Sequence, residues 1–174
     1  MPDPALTLAT PELRDAFVDM ASEYHDCGED RYDWVLNRYA NDFAGYLELL
    51  DNQLRKIGMP VEWSPQSTFF LVDEKRRFLG SSRLRHGLHP RLREWGCHIG
   101  YDIRPSERRK GYGTLILKLT LQKARDIGLT SVMLTCDATN VGSIGVIKNN
   151  GGRIESEYFL ERIGVIVKRW VIEL

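Results

Sequence analysis

No stretch of this 174-residue sequence reaches 18 continuous apolar residues, so no helix is expected to span a bilayer and no membrane partner is expected. Net charge is missing too: 24 Lys and Arg balance 24 Asp and Glu. A balanced chain lacks the broad basic face of a general nucleic-acid binder, which argues against a nucleic-acid partner. Cysteine is scarce. Cys27, Cys97 and Cys136 are odd in number and widely spaced, which does not suit a disulfide framework and fits reduced thiols in a cytoplasmic protein. The opening MPDPALTLATPELRD has no basic start and no apolar run, so it does not read as a secretory signal. Internal repeats and low-complexity tracts are absent. So is the G-x-x-x-x-G-K-[ST] phosphate loop. Gly111 and Gly113 supply two glycines of a G-x-G-x-x-G dinucleotide fingerprint, but Ile116 stands where the third belongs.

What is present fits one domain over residues 1–174, long enough to bury a core without a metal or disulfide staple. ALTLAT, residues 5–10, reads as a first strand. Thr10, Pro11 and Glu12 form a helix start: a capping hydroxyl, a proline in the first turn, then an acid near the positive end. That helix is expected to run to about residue 24, and a second over residues 32–56, with Trp34, Leu36, Tyr39, Phe43, Leu47, Leu50 and Leu54 on its apolar side. Residues 67–88 predict two strands around a turn at Asp73–Arg76. EWGCHIGYDIRP, residues 94–105, alternates. Trp95, Cys97, Ile99, Tyr101 and Ile103 share one face, and Glu94, His98 and Asp102 the other. A helix over 112–127, a buried strand over 131–137, a short helix over 141–149 and a hairpin over 157–174 complete a mixed α/β domain.

RPSERRKGYGT, residues 104–114, gathers Arg104, Arg108, Arg109 and Lys110 just before a helix start carrying Gly111 and Gly113. A helix N-terminus offers unpaired N–H groups and partial positive charge. Glycines there let a bulky anion approach, and the cations beside them add attraction. The cluster therefore reads as a cradle for a phosphate or pyrophosphate, whose charge would offset the repulsion among the cations.

Arg108, Gly111 and Gly113 spell R-x-x-G-x-G after the strand HIGYDIRP. This resembles the acyl-CoA motif of the GNAT superfamily of acyltransferases. DATNVGSIGVIKNNGG, residues 137–152, is similar to that superfamily's second landmark, an Asn opening a short helix that ends in glycine. The resemblance is clear over residues 67–174, the acyl-CoA-binding core with its hairpin. Over 1–66, the acceptor-side strand and helices, it extends only to helical layout. It looks most like a group of bacterial acetyltransferases. It implies a single-domain fold with a mixed, mostly antiparallel sheet flanked by helices and split between the fourth and fifth strands. It also implies N-acetyl transfer from acetyl-CoA to an amine, and a homodimer is compatible with it. The rival is a module of the same fold that holds acyl-CoA without turnover.

By this resemblance the pyrophosphate sits on backbone N–H groups from Arg109 to Thr114, among Arg108, Lys110, Gly111, Tyr112 and Gly113. The pantetheine arm pairs like an extra strand along Tyr101 to Ile103, and an N–H near Ile99 or Tyr101 meets the thioester oxyanion. Asn140, with Ser143 after it, holds the arm or a water, though Asn140 is equally a plain helix cap. An amine with pKa near 10.4 is only about one part in 10³ neutral at pH 7, a penalty of roughly 4 to 5 kcal/mol, so a base is useful. Relatives often carry Glu where this chain has His98; Glu94 is the alternative. They also carry a Tyr seven residues after the Asn to protonate the departing thiolate. Here that position is Ile147, leaving Cys136, Tyr158 or no group at all. His86, His89, Cys97 and His98 lack further acids at ligand spacing, so no metal is expected. Glu23, Asp26, Glu29, Asp30 and Asp33 surround the break between the first helices. They read as a solvated loop or as an acidic rim drawing a cationic amine.

Overall fold

The structure is a computed structural model, and it describes residues 4–89, 97–161 and 164–174. Strand β1 (Ala5–Thr7) leads into a 3-10 turn at Pro11–Leu13 and helix α1 (Arg14–Asp26). Thr10 makes no side-chain cap there; the proline-led turn is held by Leu13 N–H donating to Thr10 O (3.0 Å). A second 3-10 turn at Asp30–Tyr32 opens α2 (Asp33–Tyr39), and α3 (Phe43–Arg55) follows.

The single helix expected over 32–56 is thus two. The apolar spacing runs straight across the break, from Tyr39 to Phe43, so periodicity alone cannot see it. Asp42 decides it: its carboxylate accepts from Gly45 N–H (3.0 Å) and caps a new helix. The buried face shifts accordingly. Val35, Phe43 and Tyr46 are buried, whereas Trp34 is 54% exposed.

Strands β2 (Gln66–Val72) and β3 (Phe78–Arg85) form the expected hairpin, with the Asp73 carboxylate accepting from the N–H groups of Lys75 and Arg77 (both 2.9 Å). Then come β4 (Ile99–Ile103), α4 (Tyr112–Asp126), β5 (Ser131–Asp137), α5 (Val141–Asn149), β6 (Arg153–Leu160) and β7 (Val165–Glu173). Among the described residues no helix is long and apolar enough to cross a membrane.

The strands make two antiparallel sheets, β1-β2-β3-β4 and β5-β7-β6. One core lies under α1 to α3, where Phe17 packs against Tyr46 and Phe70. Another joins α4, α5, β5 and β7 around Leu117, Leu134, Ile147 and Trp170. Each core buries more than five large apolar side chains, each worth about 1.5–3 kcal/mol before entropy is charged. The site lies where the free edges of the two sheets, β4 and β5, meet and part.

Candidate active site

The two edges are joined at one end by His98. Its N–H donates to Met133 O (2.8 Å), while Met133 N–H donates to the ring Nδ1 (2.9 Å). Among the described residues no other hydrogen bond joins β4 to β5, so beyond this point the strands diverge. The expected split between the fourth and fifth strands is there.

The pairing of β4 with β3 determines what faces the split. Arg85 N–H donates to His98 O, and Arg104 N–H donates to Leu79 O. In an antiparallel ladder alternate residues bond one neighbour. Gly100 and Asp102 therefore turn their main chain to β3, and Ile99, Tyr101 and Ile103 turn theirs to the split. Tyr101 and Ile103 are the residues expected to pair with an extended arm, and Ile99 or Tyr101 the expected oxyanion donor. At the far end the Arg108 guanidinium donates to Ile103 O (3.0 Å).

Beyond Ile103 the chain makes a 3-10 turn at Pro105–Glu107 and reaches α4 through two left-handed residues, Arg109 (φ 63°) and Gly111 (φ 86°). Gly111 is the N-cap of α4, and an added Cβ there would meet nothing within 4 Å. The turn is open on that side, and glycine is used for its φ. Leu115 N–H donates back to Gly111 O (3.2 Å). The amides before it, in Tyr112, Gly113 and Thr114, have no helical acceptor behind them and aim outward at the positive helix end. Gly113 serves packing as well: a Cβ there would lie 2.9 Å from Val146 Cγ2 on α5.

The cations around this turn are neutralised from within. Arg104 pairs with Asp19 (2.7 Å) and with Glu23, which also accepts from Ser106 N–H. Arg108 makes a two-pronged pair with Glu29 (2.6 and 2.9 Å) and lies over the Tyr24 ring. Lys110 reaches Glu107 (3.0 Å). Of the four, only Arg109 has no ion pair among the described residues. The repulsion that a bound anion was expected to relieve is thus relieved largely by acids about 80 residues away. The acidic rim changes with it. Glu23 on α1 and Glu29 after it are tied to the β4–α4 corner, and Asp33 bonds His25 (3.0 Å), while Asp26 and Asp30 stay exposed. Burial pushes Glu23 up, but the bonds from Ser106 and Arg104 outweigh it and hold the carboxyl below its ordinary value. Glu29 is held low first by Arg108.

Across the split, Tyr101 Oη lies 3.0 Å from Ser143 Oγ, and Asn140 caps α5 by accepting from Ser143 N–H (2.9 Å). Asn140 therefore does the plain capping work. Burial first pushes the Tyr101 phenol up to about 12. Burial likewise raises the Cys136 thiol. Ile147 is 1% exposed in the core, and a Cβ on Gly152 would collide with it, so the glycine pair closes that packing. His98 Nδ1 accepts a main-chain proton, which puts the ring's own proton on Nε2 in the neutral form. Glu94 lies outside the described residues.

On the opposite face of β4 the sequence reading missed a cavity. About 440 Å³ opens between α2, α3 and the first sheet, lined among others by Arg31, Arg83, Arg85, Trp34, Cys97 and Gly100. Beside it Asp102 is buried as a hub. It accepts from Tyr24 Oη (3.1 Å), Tyr32 Oη (2.8 Å), Ser81 Oγ (3.1 Å) and Arg83 (2.9 Å), and both tyrosine hydroxyls are held high, by burial first and then by this charge. The available signal was S-x-R-x-R at residues 81–85, three polar side chains on one face of a strand.

The family model for the acetyltransferase (GNAT) domain matches residues 6–153. No curated protein matches the sequence. Among solved structures, RimJ of Mycobacterium smegmatis in complex with CoA-disulfide is similar at TM-score 0.71 and 18% identity, over 97% of this chain and 80% of that one. The Microcin C7 self-immunity acetyltransferase MccE in complex with acetyl-CoA and AMP is similar at 0.68 and 13%, over 100% and 94%. A chimera of spermidine N-acetyltransferase SpeG from Vibrio cholerae is similar at 0.63 and 14%, over 99% and 96%. These structures share the fold, and the family model covers most of the sequence: the chain belongs to the GNAT acetyltransferase family.

Proposed function

We propose that the protein transfers an acetyl group from acetyl-CoA to an amine by direct attack. The observation that carries this reading is the line from the open β4 edge to the Gly111 turn. Main-chain groups of Ile99 and Tyr101 face the split, and it leads to outward amides at the start of α4. An amide-rich arm pairs with the first and a pyrophosphate rests on the second. Arg109 adds charge. Arg108 acts by shaping the turn, because its guanidinium is already held by Glu29 and Ile103.

The amine attacks the thioester carbonyl, whose developing oxyanion meets an N–H of Ile99 or Tyr101. A C–N bond forms, the C–S bond breaks, and the thiolate takes a proton. Tyr101 Oη and Cys136 Sγ both keep their protons at neutral pH and flank Ser143, which makes them the donors. They stand in for the tyrosine that Ile147 replaces. The amine's proton passes to Glu94 or to water rather than to His98, whose Nδ1 is held by Met133 and whose Nε2 carries a proton.

Incubation with acetyl-CoA and a panel of amines tests this, by thiol release and mass detection of the acetylated product. Stoichiometric product and thiol are expected. Acetyl-CoA binding without turnover of any amine would instead leave a module that holds acyl-CoA.

A further inference from the structure

The cavity on the α2–α3 side meets β4 at Cys97 and Gly100, on either side of the residues where β4 leaves β5. It therefore reaches the strand from the face opposite α4, close to the split in which the thioester is proposed to lie. Its charge has one sign. Arg31, Arg83 and Arg85 line it, and among the described residues none of the lining is acidic.

Among the described residues Asp102 is the carboxylate within ion-pair distance of these arginines, and it does not balance them. Asp102 bonds Arg83 at 2.9 Å and lies 3.8 Å from Arg31. Arg85 is held by a carbonyl and a thiol, Cys97 O (2.8 Å) and Cys97 Sγ (3.6 Å), neither of which is a formal charge. Among the described residues the three arginines thus outnumber the carboxylate paired with them, three to one. The register explains the convergence: Arg83 stands opposite Thr68 and Gly100, and Arg85 opposite Gln66, on one pleat. A slot lies between that pleat and the strand. A Cβ on Gly100 would come 3.8 Å from Arg83 Nε and 3.9 Å from its terminal nitrogen, so glycine leaves space for a ligand atom beside the guanidinium. The remaining walls are aromatic and aliphatic, with Trp34, Tyr46, Leu49 and Leu50.

We infer that this cavity selects an acceptor that carries an anion, a carboxylate or a phosphate, beside its amine. Guanidinium forks match the planar, two-oxygen geometry of such groups. The same field repels a purely cationic amine. Arg31 and Arg85 hold the anion, and the apolar wall takes the body of the molecule. The amine is then turned toward the bare strand at Gly100. This rests on the acetyl-transfer reading and names the class of its second substrate.

Matched pairs test it on the wild-type protein: L-leucine, L-phenylalanine and L-tryptophan against their amides, O-phosphoethanolamine against ethanolamine, and spermidine as the cation. The acids or the phosphate are expected to exceed their neutral partners in kcat/KM by about 10-fold or more, the usual worth of a charged hydrogen bond. The pair that separates tells carboxylate from phosphate. In Arg31→Gln and Arg85→Gln that preference should shrink toward unity, through KM for the acceptor, with KM for acetyl-CoA unchanged. Equal or better use of the amides or of spermidine overturns the inference and leaves acetyl transfer standing. If no amine is acetylated, calorimetric titration of the same acids and amides into the CoA-loaded protein decides. Selective binding of the anionic members upholds the cavity's role although the enzymatic reading has failed, and no selectivity overturns it.

Discussion

Replacing Asp102 with alanine should cost this fold more than any comparable surface change. The carboxylate is 7% exposed and accepts from four side chains on three elements: Tyr24 on α1, Tyr32 in the following 3-10 turn, and Ser81 and Arg83 on β3. Its removal leaves three buried hydroxyls without this acceptor and strips Arg83 of its nearest counter-charge. Breaking a buried ion pair by removing one partner typically costs about 3–5 kcal/mol. Arg83 keeps about a third of its side chain in water, so the lower half of that range applies, about 3–4 kcal/mol. For a chain of this length each kcal/mol moves Tm by about 2–4 °C, so a fall of roughly 6 to 16 °C is expected. Urea unfolding followed by circular dichroism is the assay, read as a change in midpoint at constant slope. The double variant Asp102→Ala with Arg83→Met should recover part of the loss, because the stranded charge goes with it. A loss below about 1 kcal/mol for Asp102→Ala, or strict additivity in the cycle, would refute the claim that Asp102 and Arg83 are a coupled, buried hub.

Gly113→Ala should destabilise by about 1–3 kcal/mol through overpacking, since its Cβ would sit 2.9 Å from Val146 Cγ2; Val146→Ala should restore most of the midpoint, and no loss in the single variant would contradict the packing. Glu23 and Glu29 are held below the ordinary carboxylate value of 4.5, so their contribution is full above that pH and is lost as pH falls through their lowered values. Glu23→Gln with Glu29→Gln should accordingly flatten the acid limb of stability between pH 5 and 2, measured as urea midpoints, whereas an unchanged limb would take these pairs out of the account. Tyr101→Phe removes the phenol facing Ser143; turnover should fall about 10²-fold or more with acetyl-CoA affinity little changed, and an undiminished rate would leave Cys136 as the donor.

Strongly patterned segments were readable from the sequence. The β5 run SVMLTCD and the glycine-bounded α5 match their expected bounds, because hydrophobic period and terminal glycines agree there. The α2–α3 break was hidden because the apolar stripe continues through it and only one cap, Asp42, opposes it. In the site, the alternation of β4 and the exposed turn at Gly111 were visible as local pattern. The partners of Arg104 and Arg108 were not. A run of cations reads alike whether its counter-charge is a ligand or a glutamate about 80 residues upstream. His98 was legible as a candidate base, but the bond from Met133 that claims its Nδ1 exists only once β5 lies alongside. The arginine cavity was missed for the same reason, since Arg31 joins Arg83 and Arg85 only through tertiary packing.

The account stands most directly on the line from the β4 edge to the Gly111 turn. Titration calorimetry of CoA into the wild-type protein and into Gly111→Glu measures it. The glutamate puts a negative charge where the pyrophosphate is proposed to rest and strains a residue held at φ 86°, yet its Cβ meets no protein atom within 4 Å. The account predicts one CoA per wild-type chain, and an affinity lower by at least about 100-fold in a variant whose circular dichroism matches wild type. Equal affinity in that folded variant would contradict it.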